Sequence, residues 1–251
     1  METALDNNML VEMDDPIGRE TLRRMASVDR YNHWIYDEIA PYAGRRLLEV
    51  GCGIGNMTSY FLGLDEVVGL DRLPSSVRFV RAEFAHRPNV HIYEGDITTR
   101  ETVAALKPHR LDTVMCLNVL EHIEDHQVAL RHMAELLEPG GRLLLFVPAG
   151  AYMAGTLDTA LGHYRRYDRA QLRTLVTATG LKILRLHYLN IAGIPGWWLN
   201  SRVLKRDLLP HDQLKLFNLL APLFIGGERL LRRVWDAPLG QSLLCIAQKQ
   251  P

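Results

Sequence analysis

One glycine-rich turn constrains the fold of this chain more than any other stretch. Leu47 to Val50 is typical of a buried strand, and Gly51-Cys52-Gly53-Ile54-Gly55 follows it directly, before a predicted helix over Asn56–Leu62. Alternating glycines let the backbone turn sharply and let a ligand approach without a Cβ in the way. The N-terminus of the next helix offers N–H groups and the positive end of its dipole. The pattern therefore predicts a cofactor-binding turn.

After this turn, apolar segments typical of buried strands alternate with segments typical of helices. The predicted strands are Leu47–Val50, Glu66–Asp71, Val90–Tyr93, Asp112–Leu117, Arg142–Val147, Leu181–Tyr188 and Ser242–Gln248. The predicted helices among them are Pro74–Ala85, Arg100–Leu106, Asp125–Leu137 and Arg169–Thr179. This alternation indicates an α/β fold of βαβ units, in which helices cover both faces of a parallel sheet.

Two segments lie outside this alternation. Ile17 to Ile39 has apolar residues at spacings of three and four, which predicts a helix after a loose tail over Met1–Pro16. Asn190 to Gly240 is too long for a hairpin connection, and its pattern predicts helices that include Gln213–Leu219 and Glu228–Trp235. We therefore divide the chain into a tail and cap helix over 1–44, a cofactor-binding catalytic domain over 45–189 with 241–251, and a helical insertion over 190–240.

Composition limits the kinds of partner. Lys and Arg together number 29, as do Asp and Glu, so the zero net charge gives no general attraction to nucleic acid. The three cysteines are scattered without metal-type spacing, which is typical of reduced cysteines in a cytoplasmic protein. No N-terminal signal peptide is evident, and no apolar run has the roughly 18 to 20 residues of a membrane span. We expect a cytoplasmic monomer or homodimer that binds no nucleic acid.

Acidic side chains occupy positions that suit a nucleoside ligand. Asp71 ends the second predicted strand, where a carboxylate can accept hydrogen bonds from ribose hydroxyls, and Asp96 ends the third, where it can reach an adenine amino group. Glu49 precedes the turn, which suits a positively charged ligand better than a pyrophosphate. Position 56 is Asn, whereas the dinucleotide fingerprint G-x-G-x-x-G has its third glycine there. A nicotinamide-dependent reductase is therefore the less favoured alternative.

Together with motifs further along, these features make the chain resemble the class I S-adenosylmethionine-dependent methyltransferases. The residues that carry the resemblance are LEVGCGIGN (Leu48–Asn56), VVGLD (Val67–Asp71), EGDI (Glu94–Ile97), NVLEHIED (Asn118–Asp125) and LEPGGRLLLFVP (Leu137–Pro148). They extend over roughly Arg45 to Pro148 in the order and spacing of that family. The resemblance implies a Rossmann-like seven-stranded sheet, mostly parallel with the last strand antiparallel, and S-adenosyl-L-methionine as the cofactor.

The same resemblance assigns residues to the cofactor. The glycine loop would cradle its methionine and ribose, Asp71 would bind the ribose hydroxyls, and Asp96 would bind the adenine. Asn118, at the end of the fourth strand, would lie beside the methionine. The cofactor-binding residues predicted in this way are Glu49, Gly51, Cys52, Gly53, Gly55, Asn56, Asp71, Arg72, Asp96, Ile97 and Asn118.

Methyl transfer from a sulfonium requires an aligned acceptor and, for a hydroxyl group, a base. His122 follows the fourth strand near the expected methyl group, and histidine titrates near neutral pH. An equal alternative is that His122 only begins a helix, with its side chain hydrogen-bonded to the backbone. Beyond the fifth strand, Arg166 could clamp an anionic group and Tyr167 could frame the acceptor, or the loop could simply be held by arginine–carboxylate pairs. The predicted catalytic residues are His122, His163, Arg166 and Tyr167.

A metal site is a further alternative for the same region. Two groups within the family, the ubiquinone-biosynthesis O-methyltransferases and the small-RNA 2′-O-methyltransferases, bind a divalent metal through E-x-x-E-H and a later histidine. This chain has Asn118 at the first position, then Glu121-His122, with His163 downstream. Because an amide in place of a carboxylate weakens such a site, we predict no functional metal. Two further histidines, His126 and His132, are expected on a solvated helix face.

The acceptor is less well defined by the sequence. No N/D-P-P-Y/F follows the fourth strand, which argues against methylation of amide or nucleobase amino groups, and no Pro-Cys nucleophile occurs there. We therefore expect transfer to an oxygen, or a nitrogen, of a small acceptor that is lipid-like or glycosylated. The insertion combines Trp197-Trp198 with apolar and arginine residues, which suits a lid, a dimer contact or a peripheral membrane contact. A module that binds the cofactor without catalysis is the alternative function.

Overall fold

A seven-stranded sheet with helices on both faces forms the centre of the protein. The computed structural model describes residues 16–251, so the predicted tail lies outside the described residues except for Pro16. The strands are β1 (Arg46–Val50), β2 (Glu66–Asp71), β3 (Val90–Glu94), β4 (Leu111–Leu117), β5 (Leu137–Pro148), β6 (Lys182–Leu189) and β7 (Ser242–Gln248). Their order in space is β3-β2-β1-β4-β5-β7-β6, and β7 is antiparallel to both of its neighbours. The predicted fold class is therefore confirmed.

Alternating side chains of the strands build two cores, one on each face of the sheet. Leu47 of β1 packs with the helix at residues 29–39, whereas Leu48 packs on the opposite face with the helices that follow β3, β4 and β5. Burial of both faces explains why the strands are continuous apolar runs. The parallel register brings Val50 beside Leu70 and Cys116, so the carboxyl ends of β1, β2 and β4 meet at one edge.

Nine α-helices surround the sheet within the described residues. They are α1 (Pro16–Ala26), α2 (Asp29–Ile39), α3 (Pro74–Glu83), α4 (Arg100–Leu106), α5 (His126–Leu136), α6 (Thr156–Ala160), α7 (Arg169–Thr177), α8 (Gly193–Trp198) and α9 (His211–Leu231). The helix predicted over Ile17–Ile39 is thus two helices. The Asn32 side chain donates a hydrogen bond to the carbonyl of Met25 across the break, which stabilises the angle between α1 and α2.

The helix predicted directly after the glycine-rich turn is shorter than expected. Only Thr58–Phe61 is helical, as a single 3₁₀ turn. Threonine, serine and the aromatic residues have low helix propensity, and the segment is too short to be stable without packing. Two local bonds also hold it in this form: Asn56 donates from its amide to the Leu22 carbonyl, and Thr58 donates to the Glu49 carboxylate.

The connection between β6 and β7 contains α8, a π-helical turn over Leu199–Val203, and α9. Residues from both predicted helices lie in the one long helix α9, which continues through Pro222. Proline lacks an N–H group, so the carbonyl of Asn218 loses its normal helical donor. The Arg30 guanidinium of α2 donates to the carbonyls of Asn218 and Leu219 instead, and this contact also attaches α9 to the body of the protein.

The far end of α9 is attached through a buried carboxylate. Glu228 accepts hydrogen bonds from the backbone N–H groups of Asn190 and Ile191, each at 3.0 Å, just where the chain leaves β6.

Among residues 16–251, no helix combines the length and the apolar character needed to pass through a bilayer.

Candidate functional site

A cavity of about 1050 Å³ opens at the carboxyl ends of the parallel strands. Its wall includes most of the residues that the sequence marked for the cofactor and for catalysis. These are Glu49, Gly51, Cys52, Gly53, Asn56, Asp71, Arg72, Asp96, Ile97, Asn118, His122, His163 and Arg166. Gly55 and Tyr167 do not line it. The location agrees with the rule that open α/β sheets bind ligands beyond the carboxyl ends of their strands.

The glycine-rich turn follows β1 in a conformation that other residues adopt with difficulty. Gly51, Gly53 and Gly55 have φ values of +76°, +54° and +83°. A Cβ atom on Gly51 would lie 2.3 Å from Cγ2 of Val119, and one on Gly55 would lie 2.8 Å from the ring of Phe84. Gly55 is therefore required for packing against Phe84, directly after α3. Gly51 and Gly53, in contrast, also border the cavity.

Asp71 couples β2 to the glycine-rich turn. Its two carboxylate oxygens accept hydrogen bonds from the N–H groups of Gly53, at 2.8 Å, and Leu73, at 2.9 Å. Burial raises the pKa of Asp71, and these hydrogen bonds oppose that shift. Because each carboxylate oxygen has two lone pairs, the side chain retains acceptor capacity toward the cavity. Asp96, at the next strand, is held by the N–H and hydroxyl groups of Thr98.

Glu49 supplies a buried acid at the same end of the cavity. Its carboxylate accepts a 2.5 Å hydrogen bond from the Thr58 hydroxyl, and burial raises its pKa to about 8. A cationic group next to a desolvated carboxyl favours the charged form of that carboxyl. The position therefore fits the positively charged methionine portion of S-adenosylmethionine, and the open space above the glycine-rich turn fits the close approach of a ligand.

A second cluster of functional side chains lies where β4 ends. The 3₁₀ turn Leu120–His122 brings Glu121 and His122 together, and His163 arrives from the segment after α6. One ligand atom of each of these three side chains lies within 4.8 Å of the other two. The His122 and His163 rings meet edge to face, with centroids 4.6 Å apart. Sequence positions more than 40 residues apart thus converge on one point of the cavity wall.

Glu121 is the most unusual member of this cluster. Its side chain is 1% exposed, and neither carboxylate oxygen has a hydrogen-bond partner within residues 16–251. Burial raises its pKa to about 8. An unsatisfied buried carboxylate is costly, and a cation close to two imidazole rings would compensate for it. The cluster Glu121, His122 and His163 therefore fits a divalent metal ion, and Asn118 lines the same cavity.

Asp158 is a site residue that the sequence analysis missed. It lies on the short helix α6, and it accepts from His163 Nδ1 at 2.9 Å and from Arg166 Nε at 2.7 Å. Arg166 also donates to the Ala149 carbonyl and stacks on the Trp197 ring at 4.6 Å. Asp158 belongs to no motif in the sequence, so only its contacts identify it.

Arg166, which was predicted to clamp an anionic group, and its neighbour Arg165 are both engaged within the protein. Arg166 pairs with Asp158, as the loop alternative predicted for this segment. Arg165 donates to the carbonyls of Ile123 and Glu124, which attaches the loop to the segment after β4. Arg166 still borders the cavity, so its remaining role there is to hold Asp158 and Trp197 in position.

Tyr167 lies in the core rather than at the cavity, and one of the two further histidines is not on a solvated face. Tyr167 is fully buried in the core, donates from its hydroxyl to the Leu120 carbonyl and lies 2.8 Å from Nδ1 of His126. It therefore supports the turn that carries Glu121. The expected solvated position is wrong for His132, which is buried and hydrogen-bonded to the Ile97 carbonyl at 2.7 Å.

An apolar wall closes the rest of the cavity. Leu22, Met25 and Ile35 contribute from α1 and α2. The insertion contributes from the other side, with Trp197, Leu209, Leu214 and Phe217. A cavity with polar groups at its floor and apolar side chains above them is typical of a small-molecule site.

Comparison with known proteins agrees with this geometry. A family model described as a methyltransferase domain matches residues 22–186. A ubiquinone biosynthesis O-methyltransferase from Xanthomonas euvesicatoria is 30% identical over 155 residues, which cover 56% of this chain and 64% of the relative, slightly less than two thirds. One of the same description from Burkholderia multivorans is 31% identical over 173 residues, covering 61% of this chain and 71% of the relative.

The fold also has a solved counterpart. A SAM-dependent methyltransferase from Archaeoglobus fulgidus superposes with a TM-score of 0.59, at 16% identity, covering 88% of this chain and 94% of that protein. At this level of identity the likeness concerns the fold alone.

Proposed function

The chain belongs to the class I S-adenosylmethionine-dependent methyltransferases, and from this premise we propose that it methylates an oxygen of a small, lipid-like acceptor. One observation carries the proposal. A single cavity contains the glycine-rich turn and its carboxylates at one end, the Glu121–His122–His163 cluster beside them, and an apolar wall opposite. The donor, a base and an apolar acceptor can therefore meet in one enclosed space.

The donor end of the cavity has a defined set of binding groups. S-adenosylmethionine supplies an electrophilic methyl group on a sulfonium. Asp71 and Asp96 bind its ribose and adenine, and Glu49 faces its cationic methionine portion. The turn at Gly51 and Gly53 leaves room for the ligand beside the backbone. Cys52, Asn56, Arg72, Ile97 and Asn118 complete the wall.

The chemistry at the acceptor end depends on a base close to the hydroxyl group. His122 and His163 both line the cavity, and an imidazole can accept the proton that a hydroxyl loses as its oxygen attacks. The apolar wall excludes water and holds the acceptor in line with the methyl group. We assign the role of base to His122, because it follows β4 directly. His163 packs beside the His122 ring.

A divalent metal at Glu121, His122 and His163 is a second candidate for this end of the cavity. The sequence alone favours a site without metal because of Asn118, but the unsatisfied Glu121 carboxylate beside two imidazoles favours one. A bound cation would lower the pKa of an acceptor hydroxyl. Metal analysis of the purified protein, followed by activity in chelator, distinguishes the two candidates.

The acceptor class and the surroundings of the protein belong to the same proposal. The apolar wall and the names of the curated relatives support an oxygen acceptor with an apolar portion, and a nitrogen acceptor is the weaker choice. We also propose a cytoplasmic location, a monomer or homodimer, peripheral contact with a membrane, and no nucleic-acid partner. Residues 190–240 act as a lid module on the catalytic domain formed by 45–189 and 241–251, with residues 1–44 as its N-terminal cap.

Two measurements test the proposal. Calorimetry should detect binding of S-adenosylmethionine and its demethylated product but not of NAD, and Asp71→Ala should weaken that binding at least about tenfold. Transfer of a labelled methyl group to an alkyl-substituted phenol should then require His122. His86→Ala, at an exposed position, serves as the control for His122→Ala. Binding without transfer to any oxygen or nitrogen probe would favour the non-catalytic alternative, and binding of NAD alone would favour the reductase.

A further inference from the structure

Helix α9 exposes a row of apolar side chains on the side that faces away from the protein. Leu216, Leu219, Leu223 and Leu230 are 55%, 64%, 73% and 65% exposed, and Val234, just beyond the helix, is 86% exposed. Their spacings of three, four and seven residues place them on one face of the helix. We call these five residues the outer stripe.

The side chains of the outer stripe are not among those that pack α9 on the core. The opposite face does this with Leu214, Phe217 and Ile225, which pack with the core around α2, and with the buried Ala221 and Glu228. A surface helix normally has polar residues opposite its apolar face. An apolar outer face therefore indicates that something else covers it.

The charges around the outer stripe have one sign. From Gln213 to Trp235 the only acidic residue is Glu228, which is buried and accepts from backbone N–H groups. Lys215 and Arg233 are exposed. Arg229 is exposed as well, but its charge is partly neutralised by an ion pair with Asp37 of α2 at 2.9 Å. Lys215 lies near the start of α9 and Arg233 lies two residues beyond its end, so a cation borders each end of the stripe.

We propose that the outer stripe of α9 docks on the surface of an anionic lipid membrane. Leucines at the apolar–polar boundary, flanked by lysine and arginine, are the features of helices that lie in a membrane interface. Trp235, next in sequence to Val234, and Trp198, in α8 of the same insertion, are also exposed, and tryptophan favours that interface. The exposed cations match the negative charge of lipid head groups.

A second copy of this chain is a poorer occupant of the same surface. A two-fold dimer through the outer stripe would pack α9 against α9 of the copy, in a self-complementary contact. Because every exposed charge between residues 213 and 235 is positive, the flanks of such a dimer would bring like charges together. The nearest acidic residues in sequence, Asp212 and Asp236, lie outside this span, and Asp236 is paired with Arg169.

The location of α9 connects membrane docking with the acceptor, and this connection rests on the proposed function. Leu214 and Phe217 of α9 line the cavity, while the outer stripe begins at Leu216 on the other side of the same helix. A helix docked on a bilayer would therefore place the apolar wall of the site next to the lipid phase. An acceptor with an apolar tail could reach the cavity from there.

Vesicle flotation tests the docking surface in the full-length protein. Wild-type protein should float with vesicles of phosphatidylcholine and phosphatidylglycerol, less with pure phosphatidylcholine, and less again as salt increases. The double variant Leu219→Gln/Leu223→Gln should bind the anionic vesicles at least about tenfold more weakly, because two leucines lose their burial. Leu184→Gln, at an exposed apolar position of β6, is the matched control and should bind like the wild type.

Three outcomes would overturn the proposal: no binding to anionic vesicles, equal binding by the double variant, or a dimer in light scattering that the double variant dissociates. A circular-dichroism melt shows whether the double variant is folded. Calorimetry with S-adenosylmethionine and methylation of a short phenol test the proposed function independently of membrane docking. Leu219 and Leu223 do not line the cavity, so both activities should survive when docking is lost.

Discussion

Nδ1 of His163 lies 2.9 Å from a carboxylate oxygen of Asp158, and Nε2 of the same ring lies 4.0 Å from the Glu121 carboxylate. The first contact fixes which ring nitrogen carries a proton, because a carboxylate accepts an N–H bond. The second nitrogen then points its lone pair into the cluster of Glu121, His122 and His163. Asp158 is therefore a positioning residue, which acts on the site through His163 rather than by contact with a ligand.

We expect Asp158→Asn to reduce methyl transfer about 10- to 100-fold, because the outer partners of metal ligands and catalytic histidines have effects of that size. Affinity for S-adenosylmethionine should stay within about twofold, since Asp158 does not line the cavity. Kinetics and calorimetry measure the two effects. Asp168→Asn, at the N-cap of α7, is the control because asparagine also caps helices well. An unchanged kcat would refute this role.

Gly51→Ala should impair both folding and cofactor binding. The new side chain would require a positive φ of 76° and would meet Val119 at 2.3 Å, so we expect a loss of about 2 to 4 kcal/mol in the free energy of unfolding. Gly180→Ala isolates the cost of the backbone conformation. It has a similar φ of +82° and no atom among the described residues within 4 Å of its Cβ, so it should cost only about 1 kcal/mol. Urea unfolding measures both; equal losses would contradict the steric argument.

The parts of this protein that were predictable from sequence are those encoded by local patterns. The apolar strands and the turn Gly51–Gly55 have short-range signatures, and they were sufficient for the order of elements and the parallel part of the sheet. The antiparallel last strand was implied by the family resemblance and is present in the structure. Gly55 has the same signature as Gly51, but it does not line the cavity, and a Cβ atom there would lie 2.8 Å from the Phe84 ring, so packing requires a glycine at this position.

The rest depends on contacts between segments distant in sequence. Asp158 becomes significant only because α6 brings it to His163 and Arg166, and a sequence pattern carries no record of that contact. The unbroken helix α9 was unpredictable for a related reason. Pro222 normally interrupts a helix, and the compensating donor, Arg30, lies in a different helix.

Tyr167→Phe should lower stability without abolishing methyl transfer. The hydroxyl group donates to the Leu120 carbonyl and is bonded to His126, so its removal loses both hydrogen bonds. The Leu120 carbonyl keeps a bond from the Ile123 N–H group and His126 is only half-buried, so we expect a cost of about 1 to 2 kcal/mol. Thermal melting measures the loss, and the KM for the acceptor should change little because Tyr167 does not line the cavity. A large rise in KM with normal stability would instead support contact with the acceptor. Tyr93→Phe, whose hydroxyl lies 2.9 Å from His109 away from the cavity, is the control.

Glu49→Gln should change how the protein responds to pH. The pKa of Glu49 is about 8 in the folded protein and about 4.3 in an unfolded chain, so between these values the folded state holds the extra proton. The folded state is thus stabilised by this group below about pH 4, and that contribution is lost as the pH rises toward 8. Between pH 6 and pH 8 the wild type should lose about 2 kcal/mol more unfolding free energy than Glu49→Gln, which stays neutral. Urea titrations at the two values measure the difference.

The same carboxyl should make cofactor binding release a proton. At pH 7 a side chain with a pKa of about 8 is mostly protonated, and a cationic ligand beside it lowers that pKa. Binding of S-adenosylmethionine to the wild type should therefore release up to one proton, and the release should disappear in Glu49→Gln. Calorimetry in two buffers of different ionisation enthalpy detects this directly. Equal proton release by the two proteins would place the cationic portion of the cofactor away from Glu49.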